Sequence, residues 1–376
     1  MSEYQYYEWQ TIDRVLTPEE QSLVNRLSSH IDVTASQAVV TYEWGDFKHD
    51  PKEVLLKYFD AHLYMANWGS RRLMFRFPQG LLDEETVEQY CVFDYISFET
   101  DGNHQVLDLS LDEEEGFGWV EVEGSLSTFI RLRDDLLQGD FRLLYLAWLK
   151  AITLSGPLDG DEDDPDHPAF DQEPPVPAGL RELTPALKLF IDVFHLDPFL
   201  VQAAMSTSSD LPTAPSMNYR ELVRRLPRDE REDFLVRLAE GDPGTALKLR
   251  KRLMDFTPKT KGQSQERRTI QQIFALAEGY EQLERHRKEE EARRKYVAEM
   301  QDLARREEQT WSEVEQWIQG YTAKAYDTAT TLLEKLEKLA EFQARQTVFR
   351  ERVLALSEKY KTRSSLMSRW RSKRWL

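Results

Sequence analysis

Asp60, His62, Tyr64, Asn67, Trp68, Arg71 and Arg72 fall within one short stretch, the densest gathering of side chains able to do chemistry. Asp60, Tyr64, Asn67 and Arg71 stand three or four residues apart, so a helix running through them would bring them to one face. On that footing Asp60, His62, Asn67, Arg71 and Arg72 make a candidate anion pocket, with the two guanidiniums as donors and Asn67 orienting them. The plainer reading is that His62 and Trp68 are core and that Arg71 pairs with a carboxylate. It is preferred, because no nucleophile or phosphate loop accompanies the cluster. A second candidate is the end of the chain. No acidic residue follows Glu358, and Arg369, Trp370, Arg371, Lys373, Arg374 and Trp375 interleave cations with indoles. That pattern can hold nucleic acid or anionic lipid. Its alternative is a solvated helix end whose charge complements the helix dipole or the acidic first half.

Other chemistries lack their patterns. No Gly-rich loop precedes a Lys-Ser/Thr pair and there is no Gly-x-Ser-x-Gly elbow. Seven scattered histidines and the single Cys91 make no zinc spacing. Asp112, Glu113, Glu114 and Glu115 could ligate magnesium with Asp94 and Asp108. However, residues 1–150 hold only Lys48, Lys52, Lys57 and Lys150 as lysines, so no Glu-x-Lys nuclease partner accompanies them. The acidic run from Gly156 to Asp166 lacks the sixth-position glycine of a calcium loop, with Asp164 in its place. Cys91 reads as a buried thiol at the start of a strand. The sequence therefore assigns no catalytic residue, no metal and no cofactor.

The elements that position these groups divide into an α+β head and a helical remainder. In residues 1–153, an aromatic run at Tyr4 to Trp9 suggests an edge strand, and Thr17-Pro18-Glu19-Glu20 caps a helix. Residues 38–42 alternate as a strand, Asp50-Pro51 opens a helix ending at Gly69, and Leu73, Phe75 and Phe77 alternate again, which together suggests a crossover unit. A hairpin turns at Asp101-Gly102-Asn103; a further strand at 119–123 and two helices either side of Gly139 complete the head. Residues 154–182 read as an acidic, proline-bearing linker, and residues 183–258 as a small helical connector with a Ser/Thr/Pro-rich loop from Ser206 to Ser216. From 259 to 376 the composition is that of long helices, with Gly262, Gly279 and Gly320 as the sole glycines and no proline. Ile270, Ile273, Ala277 and Tyr280, then Trp311, Val314, Ile318, Tyr321 and Ala325, then Leu332, Leu336, Leu339 and Phe342 lay down an apolar seam. It predicts a helical hairpin or coiled coil, paired within the chain or between two chains as an oligomer.

The whole chain of 376 residues carries a net charge of −18, unevenly spread. Residues 1–180 hold 12 Lys and Arg against 36 Asp and Glu, and the remainder 37 against 31. The first half should repel nucleic acid, whereas the basic excess at the far end tolerates it. One cysteine excludes an internal disulfide framework, and neither a signal peptide nor a membrane span is legible, so a cytoplasmic protein without membrane contact is expected.

Two stretches resemble a known family: Met1-Ser2-Glu3-Tyr4-Gln5-Tyr6-Tyr7-Glu8, and Lys57-Tyr58-Phe59-Asp60-Ala61 with Ala66-Asn67-Trp68-Gly69 and Arg71-Arg72-Leu73. They are similar to a family of uncharacterised bacterial proteins encoded beside proteins that carry SWIM-type zinc fingers. Ser365-Leu366-Met367-Ser368-Arg369 is similar to that family's closing motif. The resemblance implies a bacterial cytoplasmic protein and a zinc-finger protein as partner, and no activity. Three functions are thus expected in descending order. The first is a non-enzymatic adaptor that binds a protein partner through a long helical arm and an acidic head. The second is a nucleic-acid-associated factor acting through its basic tail, and the third an enzyme with a pocket near Asp60 to Arg72.

Overall fold

The structure is a computed structural model that describes residues 4–92, 94–113, 125–155, 172–211, 218–242, 244–256 and 267–376. The expected strand at 119–123, the acidic run from Gly156 to Asp166, and Glu114 and Glu115 lie outside the described residues. Two compact units emerge, Met1–Tyr280 and Glu281–Leu376.

The first unit is built on a seven-stranded, wholly antiparallel sheet in the order β2-β3-β1-β4-β5-β7-β6. The strands are β1 (Gln5–Gln10), β2 (Asp32–Val33), β3 (Gln37–Tyr42), β4 (Ala61–Ala66), β5 (Arg71–Pro78), β6 (Ile96–Asp101) and β7 (His104–Ser110). The aromatic run from Tyr4 to Trp9 is not an edge strand: β1 lies between β3 and β4, and side chains on both its faces are buried. The helix expected to reach Gly69 stops early. Helix α1 (Pro18–Val24) keeps its Thr17/Glu20 capping box, and α2 (Pro51–Tyr58) is capped by Asp50 but ends at Phe59, which is extended. Ala61–Ala66 is then strand. A central strand buried on both faces loses polar alternation and its apolar spacing passes for a helix. Because β3 and β4 are each antiparallel to β1, they run parallel to one another through α2. The expected crossover into the strand at Leu73 to Phe77 does not form, because β5 runs antiparallel to β3; the chain crosses instead into β4, with β1 between the two parallel strands.

Alternation along the strands makes two cores. On one face Tyr7, Trp9, Ala38, Val40, Met74 and Val106 meet Val24 of α1 and Val54, Leu55 and Tyr58 of α2. On the other, Leu63, Leu73, Phe75, Phe77, Leu107 and Leu109 meet helices α4 (Ser125–Leu137), α5 (Arg142–Leu154), α6 (Pro185–Val193) and α7 (Pro198–Thr207). The short α3 (Glu84–Glu88) adds Val87 to the same core. The loop expected from Ser206 starts later, because Ser206 and Thr207 close α7. Residues 172–180, expected as solvated linker, are packed instead: Glu173 is buried against Arg268 and Tyr145, and Gln172 bridges Thr269. Helices α8 (Tyr219–Arg225) and α10 (Thr245–Met254) share a small cluster around Leu222, Leu226 and Leu253, and α9 (Arg228–Ala239) is tied to α10 by the Glu230–Arg252 pair.

The long helical region expected across the last third consists of five helices: α11 (Ile270–Arg305), α12 (Glu307–Gln319), α13 (Ala323–Phe342), α14 (Gln346–Lys359) and α15 (Ser364–Ser372). Two of the four breaks fall where the backbone turns left-handed, at Tyr321 (φ 56) and Ala344 (φ 54), and Thr322 caps α13 by accepting from the Ala325 amide. Ile270, Ile273 and Ala277 of α11 join the first unit's core. In the second unit α12 and α13 form a helical hairpin in which Trp311, Val314, Ile318, Leu336 and Leu339 are buried, so this part of the seam pairs within the chain. Tyr321 and Phe342, also expected on the seam, are exposed. Among the described residues no helix is long and apolar enough to cross a membrane.

Candidate functional site

Strand geometry scatters the five residues of the anticipated anion pocket. Arg71 and Arg72 are adjacent on β5 and so point to opposite faces of the sheet. Arg72 faces α2 and forms a two-pronged pair with Asp108, at 2.9 and 2.5 Å. Asp60 sits just before β4, 1% exposed; it accepts from the amides of Ile12 and Asp13 at 2.6 and 3.0 Å and from Arg76 at 2.6 Å. Burial opposes ionisation of Asp60, but Arg76 and these amides win and hold its carboxyl below the usual range. Asn67 accepts the Tyr4 amide at the β4–β5 turn. His62 is wholly buried, stacked on Trp9 at 4.6 Å, with Nδ1 against the Glu8 carbonyl oxygen at 3.0 Å. The one-face helix that would have gathered these groups does not form, and they are structural partners of five separate contacts. Trp68, expected in the core, is 40% exposed.

Arg71 alone leads to a charged cluster, on the face opposite Arg72. Its backbone amide donates to Asp112 Oδ1 and its Nη1 to Glu113 Oε2 at 3.2 Å. Glu113 also accepts from Lys150 of α5, whose ammonium donates further to the His195 carbonyl at 3.2 Å. The sheet edge places Glu113 here: Leu111 donates to the Arg71 carbonyl and Glu113 to the Gly69 carbonyl, which extends the β5–β7 ladder beyond its last strand pair. Gly69 permits the approach, since it sits at φ +111 and a Cβ there would lie 2.4 Å from the Glu113 carbonyl oxygen. His195 ends α6 in a left-handed conformation (φ 47), with the Leu196 amide reaching back to Ile191, which turns its own carbonyl toward Lys150. Burial, with Arg71 nearby, lowers the His195 pKa and favours the neutral ring. Sequence reasoning found Arg71 but not its companions. Lys150, a cation within the apolar run of α5, is the signal that pointed here.

The basic tail is part of a core. Trp370 is fully buried and Trp375 nearly so, and neither indole is free to stack on a base. Arg369 pairs with Asp327 at 2.6 Å, Lys373 with Glu334 at 2.5 Å, and the Trp375 indole donates to Glu337. Arg371 and Arg374 remain exposed. This packing takes both indoles out of the base-stacking reading, whereas Arg369 and Arg371 do lie in the last turn of α15, as the helix-end reading expected. As for metals, Asp108 and Glu113 are neutralised by cations, and among the described residues no group of three His, Cys, Asp or Glu could hold an ion. Cys91 is half-buried rather than buried, and its surroundings push the thiol up to about 11.

Two exposed indoles share one end of the sheet. Tyr42, Gln5 and Ala66 occupy one row across β3, β1 and β4, and Trp44 and Trp68 each follow that row by two residues. Strands two apart are about 10 Å from one another. Trp44 is 74% exposed, and Glu43, Asp46 and Asp112 at the same end are exposed as well. Gln5 fixes the Trp44 loop by donating to Gly45 and Asp46. No family model, curated protein or solved structure matches the chain.

Proposed function

We propose that the chain is a cytoplasmic, non-enzymatic interaction protein whose acidic head captures a protein partner at the Trp44/Trp68 end of the sheet. The observation that carries this reading is the pair of exposed indoles on a rigid, centrally paired sheet, set among carboxylates. Tryptophan is the residue most enriched at binding hot spots, and surrounding negative charge selects and steers a basic partner segment. A zinc-finger protein is the partner implied by the resemblance noted above.

The arm of this adaptor is the middle of α11. From Glu281 to Glu299 its side chains are almost all exposed, and Arg285–Glu281, Arg287–Glu284, Arg287–Glu291 and Arg294–Glu290 pair along its surface. A helix polar all round can be sustained by such pairs, so we take the arm to be a single helix rather than a coiled coil. Affinity capture of the full chain from bacterial cytoplasm, repeated with nuclease and at high salt, tests the function. A protein retained through nuclease treatment supports it. Nucleic acid as the sole retained species, lost at high salt, would replace it with the tail-binding reading.

A further inference from the structure

Arg71 and Lys150 are both buried, their side chains 2% and 6% exposed, and they share one carboxylate, that of Glu113. Among the described residues, two cations against one anion leave an excess positive charge in the interior, which ordinarily requires a counter-charge. The guanidinium is also underused. Among the described residues its sole side-chain hydrogen bond is from Nη1 to Glu113, and its Nε is buried without a partner. A guanidinium presents paired donors that match two oxygens of a carboxylate or phosphate, and Glu113 engages one of them. The surroundings are built rather than incidental. Asp112 and the Leu111 amide hold the Arg71 backbone, Gly69 admits Glu113, and the left-handed His195 aims a carbonyl at Lys150.

We propose that the free edge of Arg71, supported by Lys150, is a binding site for a small oxyanion of the phosphate class. The anion supplies the second negative charge that the cluster lacks, and Glu113 competes with it for both cations. The site is separate from the Trp44/Trp68 surface and does not depend on it.

Titration calorimetry and thermal unfolding of the full chain with inorganic phosphate, against chloride at matched ionic strength, test the site. The expected result is a saturable heat and a Tm rise of about 3 °C or more well above the Kd. Lys150→Gln should weaken phosphate at least about tenfold, the loss of one charge-assisted contact. Glu113→Gln removes the competitor and should tighten it. A merely structural ion pair would make both variants less stable and leave neither with an altered phosphate response. Glycerol 3-phosphate separates a phosphomonoester from the free anion as the occupant, and binding of either supports the site. No saturable response in the wild type, or equal affinity in the wild type and both variants, would overturn it.

Discussion

His62 sets an acid limit on the first unit. Its Nδ1 faces the Glu8 carbonyl and so carries the proton, while Nε2 is buried with no donor to meet it. Burial, with Arg72 nearby, pulls its pKa from 6.5 down to about 3. The folded state therefore binds fewer protons than the unfolded chain between those values. Its contribution is complete above the unfolded pKa and is lost as pH falls from about 6.5 toward 3. At 1.36 kcal/mol per unit, moving from pH 7 to pH 5 costs about 2 kcal/mol from this ring alone. Urea unfolding at the two pH values should show that loss in the wild type and a much smaller one in His62→Phe. His104 and His195, also lowered by burial, keep the slope from vanishing. An unchanged slope in the variant would show that the ring is not buried neutral. At Gly69 the constraint is steric. Gly69→Ala puts a Cβ against the Glu113 carbonyl in a conformation L-residues avoid, and should cost about 2 kcal/mol or more in the same assay.

Among the elements, α15 changes the meaning of the chain's basic end. Trp370 packs with Leu366 and Met367 of α15, Val353 of α14 and Leu336 of α13 in one core. Trp370→Ala should cost about 3–5 kcal/mol and lower the thermal midpoint of the second unit's helical signal in circular dichroism. Exposed Arg371→Ala should leave that midpoint in place, and equal effects would return α15 to the surface. Local signals of this kind were readable in the sequence where they are self-contained. The Thr17/Glu20 capping box, the Asp101-Gly102-Asn103 turn and the cap at Asp50 all occur where their residues put them. What escaped depends on distant partners. β4 reads as helix because helices on the two sides of the sheet bury both its faces while β1 and β5 pair its edges, and the tail reads as solvated because nothing local announces α13 beneath it. Arg71, Glu113, Lys150 and His195 are spread over more than a hundred positions and meet only through packing. The expected seam was legible in spacing, yet the breaks at Tyr321 and Ala344 occur at residues with no intrinsic preference for a left-handed backbone.

For the whole molecule, the uneven charge of the sequence acquires a place. Most buried carboxylates among the described residues of the first unit, Asp60, Asp108, Glu113 and Glu173, are matched by arginine or lysine, so the acidic surplus of those described residues belongs mainly to the outside. In the second unit, cations that a composition count leaves available are engaged: Arg352 with Glu308, Lys359 with Glu315, Arg369 with Asp327 and Lys373 with Glu334. Free basic charge at that end is smaller than the sequence suggests, and the balance favours recognition through the acidic head. The most direct test compares the captured partner's affinity for the wild type and for the double variant Trp44→Ala/Trp68→Ala. Both side chains are exposed, so the variant's unfolding free energy should stay within about 0.5 kcal/mol of wild type. Loss of two interface anchors should weaken binding by about a hundredfold or more. Undiminished affinity in a double variant that folds normally would contradict the account and move the interface away from this end of the sheet.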